Sequence, residues 1–188
     1  ADRRRFADSI GEQARRLQAI IDRMLMLARV EQLQSPESGA PVDLGMLLAS
    51  AMTLRRQQLD ARRLDCALHA NEGLSTHGDA FLLQQAILNL IDNAIEFSPE
   101  GSRIEITLAA ADGQATITVR DHGSGAPDYA LTQLFDRFYS LPRPATGRKS
   151  TGLGLALVRE VARLHGGDAG FANHPEGGGM AFIRVALN

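Results

Sequence analysis

The first thirty-odd residues set the strongest constraint on the fold. Phe6, Ile10, Gln13, Leu17, Ile20, Met24, Leu27 and Glu31 follow a four-three alternation, with Ala7, Ala14, Ile21 and Ala28 beside that seam. Such spacing belongs to a long helix whose apolar stripe meets other helices. Arg3, Arg4, Glu12, Arg15, Arg16 and Asp22 fall on the opposite side, so a solitary helix would leave the stripe in water. Its own domain could cover part of it. The turn-rich break QSPESGAPVD that follows favours a bundle helix and then a hinge.

From Val42 onward the pattern changes to that of an α/β sandwich. Asp43 suits the N-cap of a helix through LGMLLASAMTLRRQQLD, and RLDCALHA alternates as a strand before a turn at NEG. A second helix carries DAFLLQQAILNLIDNAIEF and stops at Ser98 and Pro99. SRIEITLAA and QATITVRDH read as a hairpin joined by ADG. Gly123 to Ser150 contains glycine, proline and basic residues with little periodicity, which predicts a long mobile loop of functional character. A helix opening at TGLGLALVREVARL and two strands, GDAGFAN and GMAFIRVAL, close the domain.

Bulk properties exclude several functions. With 44% hydrophobic residues in 188, the chain can bury one or two modest cores, and a formal charge of −2 gives no electrostatic case for nucleic acid. The single cysteine, Cys66, rules out an internal disulfide framework and reads as an inert strand residue. No stretch approaches the ~20 apolar residues of a membrane span, so no membrane contact is expected of these residues. The five histidines are scattered without metal-ligand spacing.

Three clusters can carry chemistry. Asn89 and Asn93 share one helix face, and asparagine is a poor mid-helix residue, so something polar is expected there. DHGSGAP places Asp121 at a strand end before Gly123 and Gly125. A carboxylate only accepts hydrogen bonds, which suits the exocyclic amine of adenine and disfavours the carbonyl of guanine. Finally, Gly152 and Gly154 open a helix whose free N–H groups and positive dipole end suit an anion. Thr151 adds a hydroxyl, and Arg148 and Lys149 add charge.

In this order, N-x-x-x-N-A, D-x-G-x-G, F-x-R-F-Y and T-G-L-G-L resemble the ATP-binding domain of sensor histidine kinases. That family shares its superfamily with type II topoisomerases, Hsp90 chaperones and MutL proteins. The resemblance covers essentially the whole chain. It implies a two-layer α/β sandwich of the Bergerat type with a mixed sheet over 43–188. Residues 1–35 then correspond to the second helix of the dimerisation and phosphotransfer hairpin, with 36–42 as linker. It also implies ATP and Mg²⁺ as cofactors, with Asn93 as the principal magnesium ligand and Asn89, beside the phosphates, as a second candidate. Tyr139, Leu153 and Leu155 join the nucleotide site by the same resemblance. The implied activity is phosphorylation of a histidine and transfer to a response regulator, by a homodimer forming the cytoplasmic portion of an inner-membrane sensor.

Departures from the family pattern are equally informative. No histidine stands in an H-E/D-x-x-x-P-like context, so the chain reads as a fragment that begins between the two hairpin helices and does not phosphorylate itself. Glu96 stands where many members carry Lys or Arg, and Ser140 where Arg is frequent; Arg137, Arg148 and Lys149 are candidate replacements. The ATP-hydrolysing relatives carry a water-activating glutamate where this chain has Asn89. That contrast favours a kinase, because a neutral imidazole acceptor is already nucleophilic. An ATP-driven clamp or chaperone, and a non-catalytic nucleotide-binding module, remain as alternatives.

Overall fold

A computed structural model describes residues 2–33, 39–144, 147 and 149–187, with side chains of 2–9, 12, 15 and 16 excepted. Arg148 therefore lies outside the described residues, as do the side chains of Phe6, Ala7, Arg3, Arg4, Glu12, Arg15 and Arg16. Helix α1 spans Asp2–Gln32, strand β1 Ala40–Asp43, α2 Leu44–Ala61, β2 Asp65–Ala70, β3 Ser75–Gly78 and α3 Ala80–Phe97. There follow β4 Arg103–Ala111, β5 Gln114–Asp121, α4 Asp128–Leu131, α5 Gly154–Leu164, β6 Ala169–Asn173 and β7 Gly179–Ala186.

Five strands form one mixed sheet in the order β2-β4-β5-β7-β6, parallel between β2 and β4 and antiparallel elsewhere. The β4–β5 hairpin turns at Asp112 and Gly113, both at positive φ (51° and 74°), the geometry that matches strand twist. Along β5 every second residue is buried, and those side chains meet α3, while α5 packs on β7 and β6. Two layers result, as the sequence implies.

The sequence reading missed a small antiparallel ribbon between β1 and β3, in which Val42 pairs with Thr76. Residues 40–42, expected at the end of a linker, are thereby strand. The stretch from Gly123 to Ser150 is also less irregular than its composition predicts: it contains α4 and buries Ala126, Ala130 and Phe135.

Local chemistry fixes α3, the helix that carries both asparagines. Asp79 caps it, its Oδ1 accepting the N–H groups of Phe81 (2.9 Å) and Leu82 (3.1 Å). At the other end Arg62 donates to the carbonyls of Ile95 and Ser98, the latter at 2.8 Å. Leu83, Ile87, Leu90 and Ile91 are among the most deeply buried side chains of the molecule, each contributing about 1.5–3 kcal/mol.

His165 ties the two site-bearing helices together. The Asp79 N–H donates to its Nε2 (3.1 Å), so Nδ1 carries the proton and donates to the Val161 carbonyl (2.7 Å). Only the neutral ring can do both. Burial pushes its pKa below the ordinary 6.5, outweighing the Val161 carbonyl and the charge of Asp79. The unfolded chain then binds more protons than the fold, so this stability is complete above pH 6.5 and declines as pH falls below it. Accordingly, the wild-type melting temperature should drop between about pH 7 and pH 5 more steeply than that of His165→Gln. Parallel pH profiles would remove His165 as the cause.

The stripe on α1 divides between two uses. Leu27 and Val30 are 3% and 2% exposed and belong to the main hydrophobic core, where α1 meets α5. Glu31 forms an ion pair with Arg137. Ile10, Leu17, Ile21 and Met24 remain exposed. Thus the last turns of the predicted seam cover the chain's own domain, and those four apolar residues of the earlier turns stay exposed.

Candidate functional site

Asn89, Asn93, Asp121, Gly125, Tyr139, Thr151, Gly152, Gly154 and Leu155 line one cleft of about 490 Å³ between α3, α5 and the β5 end of the sheet. The three clusters singled out by sequence are therefore brought together. Asp121 is 8% exposed, and its Oδ1 accepts the N–H groups of Gly123 (2.8 Å) and Gly179 (3.1 Å). These bonds fix the carboxylate and leave Oδ2 available to a donor. Gly178, at φ 90°, lets the chain pass so close that a Cβ there would fall 1.9 Å from the Asp121 carbonyl oxygen.

At the opposite wall, α5 begins without a side-chain cap at Leu153. Its first N–H groups are consequently free for a ligand. Gly152 adopts φ 68°, and a Cβ there would lie 2.4 Å from the Phe138 carbonyl carbon. Gly154 has a second reason to lack a side chain: a Cβ would stand 3.0 Å from Asn89 Oδ1, so the close approach of α3 and α5 requires it. Thr151 Oγ1 is buried without a hydrogen-bond partner among the described residues. An orphaned hydroxyl of this kind is expected where a polar ligand supplies the missing partner.

The two asparagines differ. Asn89 Nδ2 donates to the Gln85 carbonyl at 3.0 Å, which orients its oxygen. The Asn93 amide makes no hydrogen bond with the described residues and faces the cleft. A free amide oxygen fits the hard-oxygen preference of Mg²⁺, shared with phosphates and water.

Several predicted residues stand elsewhere. Leu153, 2% exposed, is part of the hydrophobic core and anchors the start of α5 without lining the cleft. Gly123 is held against the Phe97 carbonyl, where a Cβ would come within 2.4 Å, and Lys149 is exposed away from the wall. Arg137 is committed to Glu31. Ser140 does line the cleft, and its Oγ also braces the loop, accepting the Ser150 N–H (3.0 Å) and lying 2.8 Å from Ser150 Oγ.

Sequence reasoning missed four contributors. Arg143 pairs with Glu96 and lies over the Phe97 ring, 5.8 Å from its centroid. It brings a cation beside Glu96, at the position where many family members carry Lys or Arg. Arg55 grips Asp92 through two bonds, one of 2.9 Å. Asn173 clamps the glycine turn through Ala126, accepting its N–H and donating to its carbonyl, both at 2.8 Å. Arg23, from α1, reaches the cleft wall. None has a local signature, because each acts on a residue far away in sequence.

Comparison with known proteins agrees with this geometry. The family described as Histidine kinase-, DNA gyrase B-, and HSP90-like ATPase matches residues 78–188. Sensor protein CreC of Escherichia coli (strain K12) is 42% identical over 181 residues, 96% of this chain and 38% of that protein. Sensor protein QseC of Salmonella typhi is 36% identical over 167 residues, 88% of this chain and 36% of its own length. The chain thus spans under two-fifths of either relative. Full-length ShkA in complex with AMPPNP superposes with a TM-score of 0.82 at 25% identity, covering 100% of this chain and 39% of ShkA.

Proposed function

The chain belongs to the family of histidine kinase-, DNA gyrase B- and HSP90-like ATPases, and we propose that it is the ATP-binding catalytic part of a two-component sensor histidine kinase. Its acids carry this reading. The carboxylates on the described cleft wall are Asp92, Glu96 and Asp121, and each is already engaged, by Arg55, by Arg143 and by two backbone N–H groups. Asn89 occupies the place of a water-activating acid and cannot remove a proton. A cleft so furnished favours transfer to an acceptor that brings its own nucleophile, and neutral imidazole does so near pH 7. A hydrolytic clamp would need a free base.

Within this reading, Asp121 holds adenine through its exocyclic amine. Asn93 would hold Mg²⁺, with Asn89 as a second candidate, and the ion would supply charge neutralisation for the phosphates. The phosphates lie against the open N-terminus of α5 and Thr151. Helix α1, Asp2–Gln32, is the second hairpin helix, and the catalytic domain begins with β1 at Ala40 rather than at residue 43. The exposed residues Ile10, Leu17, Ile21 and Met24 provide the seam of a homodimer. The phosphate passes from a histidine on the first hairpin helix to a CreB-like response regulator. No helix among the described residues is long and apolar enough to cross a membrane; the reading makes the chain the cytoplasmic portion of an inner-membrane sensor.

The deciding experiment mixes this chain with a separate first-helix fragment bearing the histidine and supplies ATP labelled in its γ-phosphate. Label should appear on that histidine. Release of free phosphate with no labelled histidine would identify an ATPase instead.

A further inference from the structure

Arg23 belongs to α1, outside every motif associated with the nucleotide, yet it lies on the wall of the cleft. Its position follows from helix geometry. Residues four and seven further on, Leu27 and Val30, share its face of α1 and are buried in the main hydrophobic core. The next residue, Glu31, pairs with Arg137. Docking of these last turns carries Arg23, itself exposed, to the mouth of the cleft.

There it shares the opening with Arg143. Burial pushes the pKa of Arg143 below its ordinary value, and the nearby positive charge of Arg23 lowers it further, against the opposing influence of Asp92. The neighbouring acids do not absorb this excess. Asp92 is held by Arg55, while Glu96 balances Arg143 alone. Both guanidinium groups line the same cleft, where Asp92 and Glu96 are already paired and leave the charge of Arg23 unmatched among the described cleft-wall acids. An anion at that entrance would relieve their repulsion, and planar guanidinium suits phosphate oxygens.

The cleft has a direction. Asp121, at its base, is nearly buried, while Arg23 is at the exposed rim. A nucleotide whose base meets Asp121 therefore presents its outermost phosphate to Arg23. We propose that Arg23 is a positioning residue for the terminal phosphate, clamping it with Arg143, so that a nucleoside triphosphate binds the α1-docked arrangement more tightly than a diphosphate does. The proposal rests on the cleft being a nucleotide site, and adds that the dimerisation helix itself completes it.

The test measures Mg·ATP and Mg·ADP affinity by titration calorimetry for the wild type, Arg23→Ala, Arg23→Gln and Arg23→Lys. Arg23→Ala and Arg23→Gln should weaken ATP binding about tenfold, the scale of one charge-assisted hydrogen bond, and leave ADP within about twofold. Arg23→Lys should recover most of the loss, since the charge is kept. Melting temperatures without nucleotide should be unchanged because the side chain is exposed. An equal loss for ATP and ADP, or no loss, would overturn the clamp while leaving the nucleotide site intact. Failure of the wild type to bind either nucleotide would overturn both readings.

Discussion

Asparagine in place of Asp121 should abolish the thermal stabilisation that ATP gives the wild-type chain. At about 100 times its dissociation constant, ATP is expected to add about 2.7 kcal/mol to folding stability. The substitution is close to isosteric and keeps an oxygen for the N–H groups of Gly123 and Gly179, at 2.8 and 3.1 Å, so the unliganded fold should survive. Its effect falls on the other carboxylate oxygen, which becomes an NH₂ group. That group would point donor against donor at the adenine amine, and one mismatched hydrogen bond in a site this enclosed removes most of the affinity. The same NH₂ could face the carbonyl of guanine, so GTP should lose less than ATP. A differential scanning series with both nucleotides reads the outcome. If Asp121→Asn were still stabilised by ATP as the wild type is, Asp121 would not be the base-recognising group.

Features of the fold were legible in sequence where one residue acts on its neighbours. Asp43 and Asp79 cap helices three or fewer residues away, and their chemistry alone marks those helix starts. The hairpin at Asp112 and Gly113 is equally local. Asn89, Asn93, Asp121 and Gly152 could be picked out because each breaks a local rule, by placing polar or unsubstituted residues where packing would prefer others. The remainder depends on contacts between distant segments. Arg137 meets Glu31 across 106 residues, and Asn173 meets Ala126 across 47. No spacing or periodicity encodes such pairs. Glu96 illustrates the consequence: alone it looks like a lost phosphate contact, but beside Arg143 it becomes the anchor of a cation from the loop. Leu153 errs the other way, since a motif position suggested a ligand contact and the helix phase turned the side chain into the core.

Alanine at Asn93 should remove the magnesium dependence of ATP binding and lower phosphate transfer to the supplied histidine a hundredfold or more, about 2.7 kcal/mol of barrier. The argument starts from an unused group. Asn93 faces the cleft from the middle of α3, where the helix gains nothing from asparagine, and its amide bonds to none of the described residues. Asn89, one turn earlier, shows the contrast, because its Nδ2 is spent on the Gln85 carbonyl. An amide kept free in a cleft is best explained by a ligand that takes its oxygen, and the oxygen-preferring cation accompanying a triphosphate is that ligand. Truncation leaves the helix unharmed, since alanine is the better helix former, so folding and catalysis separate cleanly. Asn93→Asp distinguishes metal binding from shape. Aspartate keeps an oxygen in place and adds charge, so it should retain a magnesium requirement where alanine loses it. Should Asn93→Ala bind ATP with an unaltered response to magnesium, the ion must be held by other groups in the cleft.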